Sequence, residues 1–167
     1  GDFAARWIAD IVQRGDLGEE TRVVDLGAGN GILGIGCLLA GAASVLLVEQ
    51  DQQCVHDYEG VEWLIGDIKE WPGTEVDLVI MNPPWGAQRP GADRPFLEHA
   101  LATAGSVWSI QPASTDRFTR RFVAQQGGSV TAAWPVPLEL EKTMPHHALE
   151  QETVEGILYH LHPVGAR

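Results

Sequence analysis

Apolar residues recur at Phe3, Ala4, Trp7, Ile8, Ile11 and Val12, the spacing of an amphipathic helix running from Asp2 to Arg14. Short apolar runs follow at Arg22–Leu26, Ser44–Glu49, Val61–Ile65, Glu75–Met81 and Ser106–Ile110, each compact enough to be a buried strand. Between them, 32–40, 94–103 and 114–125 carry helical patterns, the last closed by Gly127-Gly128. Ser129–Trp134 and Thr153–Leu161 read as two final strands joined by a proline-rich segment. Strands alternating with helices predict an α/β domain with a parallel, doubly wound sheet. One stretch strains that pattern. Eleven residues, Gln50–Gly60, separate the second and third strands, and a helical crossover needs about ten to twelve. Either the crossover is short, or residues are missing near 57–61.

Chemistry-bearing residues sit at the ends of successive strands. Val23-Val24-Asp25-Leu26-Gly27-Ala28-Gly29-Asn30-Gly31 ends a strand, turns on glycines and opens a helix at Ile32. The glycines permit close backbone approach, and helix N-terminal amides face whatever binds there. The second strand ends at Glu49-Gln50, twenty residues beyond Gly29. An acid so placed can accept both hydroxyls of a ribose. The third strand runs into Gly66-Asp67-Ile68. Asp67 can accept from the exocyclic amine of an adenine, and Ile68 can pack on its ring. The fourth ends in Met81-Asn82-Pro83-Pro84-Trp85-Gly86. Two prolines fix two φ angles and supply no N–H donors. The result is a stiff loop offering a carboxamide, bare carbonyl oxygens and an aromatic face, a set suited to a flat, amine-bearing group. The plainer reading is a proline turn with a packed Trp. A glycine-rich turn alone is weak evidence of function; four such features at four successive strand ends are far more specific.

Composition adds constraints. The 167 residues suffice for one domain with a sizeable core. No signal peptide is expected, and no apolar run approaches eighteen residues. Cys37 and Cys54 lack metal or redox spacing, which points to a reducing, cytoplasmic compartment. The chain begins with Gly, so the native N-terminus is expected to be missing. Six histidines raise the question of a metal. His146-His147 and His160/His162 have no Cys or carboxylate at ligand spacing, so none is expected. The formal net charge is −12, and only two of eleven basic residues, Lys69 and Lys142, are lysine. A protein-binding domain and a halophilic source are both open accounts. In molar salt the Debye length is about 3 Å, so acidic repulsion of a polyanion is screened. Arg89, Arg94, Arg117, Arg120 and Arg121 are the candidates for phosphate contact; for the last three the alternative is a solvated helix face.

Asp25-x-Gly27-x-Gly29-x-Gly31, Glu49, Asp67 and Asn82-Pro83-Pro84-Trp85 resemble class I methyltransferases dependent on S-adenosylmethionine. Gly91-Ala92-Asp93, Phe96-Leu97, Val107-Trp108-Ser109-Ile110 and Ser114-Thr115 narrow the resemblance to the methyltransferase-like-five family, in an archaeal, halophilic version. That family methylates adenine N6 in small-subunit ribosomal RNA. The resemblance implies one Rossmann-like methyltransferase domain over 1–167. Its seven-stranded sheet has the order 3-2-1-4-5-7-6, with the seventh strand antiparallel. It implies cofactor contacts from Asp25, Leu26, Gly27, Ala28, Gly29, Gly31, Ile32, Glu49, Gln50, Asp67, Ile68 and Asn82. Catalysis falls to Asn82, Pro83, Pro84 and Trp85. The 61–65 strand is then a sheet edge without proline, open to strand addition. The resemblance implies that a small zinc-binding activator subunit pairs there to form a heterodimer. The segment 144–148 aligns with a basic stretch of the family, weakened here. Two rival readings stay open. One is N5-methylation of a glutamine in a translation release factor, whose enzymes share the Asn-Pro-Pro-aromatic loop. The other is a non-catalytic scaffold.

Overall fold

The computed structural model describes residues 2–71, 73, 75–82, 94–143 and 149–163; of residues 2, 138–143 and 149–154 it describes the backbone only. A single sheet runs through it. The strands are β1 (Arg22–Leu26), β2 (Ser44–Glu49), β3 (Val61–Ile65), β4 (Val76–Met81), β5 (Ala104–Pro112), β6 (Ser129–Thr143) and β7 (Leu149–His162). Their spatial order is β3-β2-β1-β4-β5-β7-β6. All pairings are parallel from β3 to β5, and β7 is antiparallel to both of its neighbours. This is the Rossmann-like methyltransferase sheet that the resemblance implied.

Among the described residues, four helices cover the two faces: α1 (Asp2–Gln13), α2 (Ile32–Leu39), α3 (Arg94–Thr103) and α4 (Asp116–Gln125). Alternation along each strand divides the core. Val23, Val45, Leu47, Leu78, Ile80, Trp108 and Leu158 point to the side where Trp7, Ile8 and Ile11 of α1 and Leu33 and Cys37 of α2 pack. Val24, Leu26, Val48, Val79, Met81, Val107, Tyr159 and Leu161 point to the other, under Leu97 and Leu101 of α3 and Phe122 and Val123 of α4. Burial on both faces explains why the parallel strands read as continuous apolar runs rather than as alternating ones.

One expectation is corrected. The proline-rich segment does not join the last two strands: Pro135 and Pro137 lie inside β6, opposite Ile157 and Glu155 of β7. β6 is the outer strand at that end of the sheet, and the two prolines are two residues apart. Their nitrogens therefore point the same way, and both can face outward where no N–H is needed. The crossover from β2 to β3 contains no α-helix. It is closed by one 3-10 turn, Gln52–Cys54, followed by irregular chain and a turn at Glu59-Gly60. Trp63 of β3 occupies part of the uncovered face: its Nε1 donates to the His56 carbonyl at 3.0 Å, and its ring meets the His56 ring edge-on at 5.6 Å.

Candidate active site

The switch in strand order lies between β1 and β4, where β2 departs to one side and β5 to the other. Ligands of open α/β sheets bind beyond the carboxyl ends of strands at that point. Here β1 ends in the glycine turn and β4 in Asn82, so the topology brings together motifs far apart in sequence.

The turn is held from below. Gly27 and Ala28 N–H groups donate to the Val48 carbonyl at 2.9 and 3.0 Å. Gly27 and Gly29 have φ of 72° and 59°, the left-handed region that disfavours side chains. A Cβ on Gly27 would come within 3.1 Å of Phe96, and one on Gly29 would project into open space. Gly31 serves a different end. It caps α2 in the left-handed conformation, and a Cβ there would strike Leu47 at 2.8 Å. Its absence of a side chain serves packing, and it lines neither of the two cavities described next.

Those cavities flank the turn and share Gly27, Gly29 and Asn82. One, of about 290 Å³, is lined also by Val48, Glu49, Gln50, Gly66, Ile68 and Phe96. The second, of about 420 Å³, is lined by Phe3, Ala4 and Trp7 of α1 together with Asp25, Ala28, Asn30, Ile32 and Leu33. Nothing in the sequence marks Phe3, Ala4, Trp7 and Phe96 as cavity residues. They belong to amphipathic helices, and the apolar spacing that marks them as core does not separate core from cavity wall.

The two acids differ sharply. Glu49 Oε1 accepts from Gly29 N–H at 2.8 Å, and Oε2 accepts from Asp51 N–H at 2.8 Å. The carboxylate is thus fixed at the cavity wall, with lone pairs left to accept from a ligand. Asp25 is 1% exposed, and its Oδ2 accepts from Gly34 N–H at 3.0 Å inside α2. Burial pushes its carboxyl up to about 7; the Gly34 bond opposes the rise and the Glu49 charge adds to it. Asp67 lies between the lining residues Gly66 and Ile68, and its Oδ1 caps the following 3-10 turn through Lys69 N–H at 2.8 Å. Leu26 is fully buried, so any contact it offers at this edge is through its backbone. Ile32 is 53% exposed at the start of α2. Asn82 is exposed at the end of β4. Pro83, Pro84, Trp85, Arg89, the Gly91-Ala92-Asp93 stretch and 144–148 lie outside the described residues.

These residues fit S-adenosylmethionine on structural grounds: a turn with no Cβ where a chain of atoms must lie close, a carboxylate fixed beside it, an apolar floor at Ile68, and a buried acid. Among the described residues no group of three or more His, Cys, Asp or Glu is placed to hold a metal. His160 is 5% exposed and bonds Asp16 Oδ2 at 2.8 Å, away from the switch-point edge. Also among the described residues, no helix is long and apolar enough to cross a membrane.

Residues 2–110 match the family model described as the methyltransferase small domain. A solved structure of a candidate RNA methyltransferase from Pyrococcus horikoshii is similar at 34% identity and a TM-score of 0.86, covering 98% of this chain and 85% of that one. The ribosomal RNA N6-adenosine methyltransferase Mettl5 of Drosophila melanogaster is 27% identical over 148 residues, 80% of this chain and 70% of that protein. The large-subunit ribosomal RNA methyltransferase G of Streptomyces avermitilis is 35% identical over 106 residues, 53% of this chain but only 28% of that protein.

Proposed function

The chain belongs to the methyltransferase small domain family, and from that premise we propose that it transfers a methyl group from S-adenosylmethionine to N6 of an adenosine in small-subunit ribosomal RNA. The observation that carries the reading is the meeting of Gly27, Gly29 and Asn82 in the walls of both cavities, with Glu49 in one and Asp25 in the other. The similarity to an adenosine methyltransferase over most of the chain supports the choice of nucleophile. The match to a large-subunit enzyme covers a much smaller share, so the large subunit is kept as a test rather than as the reading.

S-adenosylmethionine supplies an activated sulfonium methyl group. In the proposed reading, Gly27, Ala28 and Gly29 hold its amino-acid portion, with the backbone of Asp25, Leu26 and Gly31 shaping the turn. Glu49 and Gln50 take the ribose, Asp67 and Ile68 the adenine, and Ile32 closes the wall beside α1. The lone pair of an adenine amine is delocalised into the ring, so the amine is a poor nucleophile. It needs no deprotonation before attack, so no strong base is required. Asn82 Oδ1 and the Pro83 carbonyl would accept its two N–H bonds, draw the nitrogen towards tetrahedral geometry and aim the lone pair. Pro84 stiffens the loop and Trp85 stacks on the base, which must leave its helix or come from a loop. The gain is positioning plus fixed dipoles matched to charge developing on the nitrogen. The methyl–sulfur bond breaks as the methyl–nitrogen bond forms, S-adenosylhomocysteine leaves as the thioether product, and the extra proton on N6 passes to solvent after transfer.

The test offers labelled cofactor with small-subunit RNA, large-subunit RNA and release factor in parallel. Label on small-subunit RNA is the expected result. Label on large-subunit RNA or on the release factor transfers the reading to that substrate, and label on none leaves the scaffold.

The reading extends to partner and setting. A small zinc-binding activator subunit adds a strand to β3, the outer strand at its end of the sheet, where Leu64 and Ile65 are 36% and 41% exposed. The net charge of −12 fits a cytoplasm of high salt.

A further inference from the structure

The basic residues are unevenly placed. Helices α3 and α4 carry four of the eleven, Arg94, Arg117, Arg120 and Arg121, against two acids, Glu98 and Asp116. These two helices are therefore net positive by two on a chain that is net negative by twelve. The fold sets this excess beside the candidate active site. β5 is the neighbour of β4, so the start of α4, reached from β5 through the short turn Ala113–Thr115, lies on the same edge of the sheet as Asn82. α3 enters the same edge. Its Phe96 lines the cavity shared with Asn82, and Arg94 lies two residues ahead of it.

The side chains are arranged as a surface rather than as a set of ion pairs. Asp116 is used internally: its Oδ1 accepts from Tyr159 Oη and from Arg120 Nε. Arg117 and Arg121 are both exposed and four residues apart, hence on one stripe of α4. The adjacent stripe holds Phe118 and Phe122, stacked at 5.9 Å, and the Arg94 guanidinium lies over both rings at 5.6 and 5.8 Å. The rings hold Arg94 in place without neutralising it. Among the described residues, Arg94, Arg117 and Arg121 enter no salt bridge. Three guanidiniums thus share one shoulder of an otherwise acidic protein.

We propose that this α3–α4 shoulder is the docking track for the phosphate backbone of the RNA whose adenine enters the site, with Arg117 and Arg121 as contacts and Arg94 linking the track to the cavity. This rests on the proposed RNA substrate. Phosphate contacts position a nucleic acid without reading its sequence, and arginine suits them through bidentate geometry. In high salt the wider field of the protein is screened, so phosphate contacts must come from basic groups gathered close together at the site itself.

The experiment measures binding and methylation of a small-subunit ribosomal RNA transcript across a series of KCl concentrations. It compares wild type, Arg117→Ala/Arg121→Ala, Arg117→Lys/Arg121→Lys and the charge control Arg22→Ala, at the amino end of β1 and so at the opposite edge of the sheet, with cofactor affinity and unfolding midpoint recorded for each. The double alanine variant should lose at least about tenfold in RNA affinity at low salt. Its plot of log affinity against log salt should flatten by about 1.4, from roughly 0.7 per phosphate contact on a single strand. Cofactor affinity should be unchanged, and the lysine variant should keep the wild-type slope. An unchanged slope and affinity in a folded double alanine variant, or an equal loss in Arg22→Ala, would overturn the track while leaving RNA methylation in place. Wild type that neither binds nor methylates RNA overturns the substrate reading and the track together. Loss of methylation of a release factor instead would mark the shoulder as a protein-docking surface and overturn the RNA track.

Discussion

At the scale of single residues, Glu49 and Asp25 show how position decides what a carboxylate can do. Glu49 is fixed by two backbone donors at a cavity wall, so its energetic worth lies in what it accepts from a ligand. Glu49→Ala should weaken S-adenosylmethionine binding by about 1–3 kcal/mol, read by calorimetry; unchanged affinity would remove Glu49 from the site. Asp25 is sealed against α2, and burial raises its pKa from 3.8 to about 7. The folded protein then holds a proton that the unfolded chain has released, so stability present below pH 4 is lost as pH rises towards 7. At about 1.4 kcal/mol per unit the effect is a few kcal/mol. Chemical denaturation over pH 4–7 should show that decline in wild type and a flatter profile in Asp25→Asn. Equal slopes would show that another group carries the proton. The acids were visible in the sequence because each lies at the carboxyl end of an apolar strand. Their difference was not, since burial depends on α2 lying across the end of β1.

At the scale of elements, close packing of α2 on β1 and β2 sets the shape of the glycine turn. A Cβ on Gly34 would strike the Leu47 side chain, reach Val45 at 3.0 Å and crowd Asp25 at 3.3 Å. Gly34→Ala should therefore lift α2 from the sheet, cost roughly 1–3 kcal/mol in urea denaturation and disturb the Asp25 bond. A neutral substitution would mean that the helix shifts freely. Strand positions were legible because buried parallel strands are short, apolar and bounded by turn residues: β1 and β3 match the expected bounds, while β5 is longer at both ends. The antiparallel pair was less so. Pro135 and Pro137 read locally as a break, and an edge position with outward-facing nitrogens is a property of the sheet, invisible in a window of sequence. The cavity walls contributed by Phe3, Trp7 and Phe96 were hidden for a related reason, since the helical spacing that marks an inward face does not say whether that face meets side chains or a cavity.

At the scale of the molecule, the acidic balance and the open edge make separate demands. Self-repulsion at a net charge of −12 should ease as salt screens it. The unfolding midpoint should therefore rise from dilute to molar KCl, and a flat or falling midpoint would contradict the high-salt setting. The β3 edge should show rapid amide exchange along 61–65 in the isolated chain and strong protection when the activator subunit is added. A fully active chain whose exchange the subunit leaves unchanged would exclude strand addition. The proposed reaction is defined by the atom that is methylated. The most direct measurement digests labelled small-subunit RNA to nucleosides and identifies the product by chromatography and mass spectrometry. Wild type should yield labelled N6-methyladenosine, and Asn82→Ala should yield about a hundredfold less per unit time while still binding cofactor. Label on any other nucleoside, or a wild-type rate from Asn82→Ala, would contradict the account.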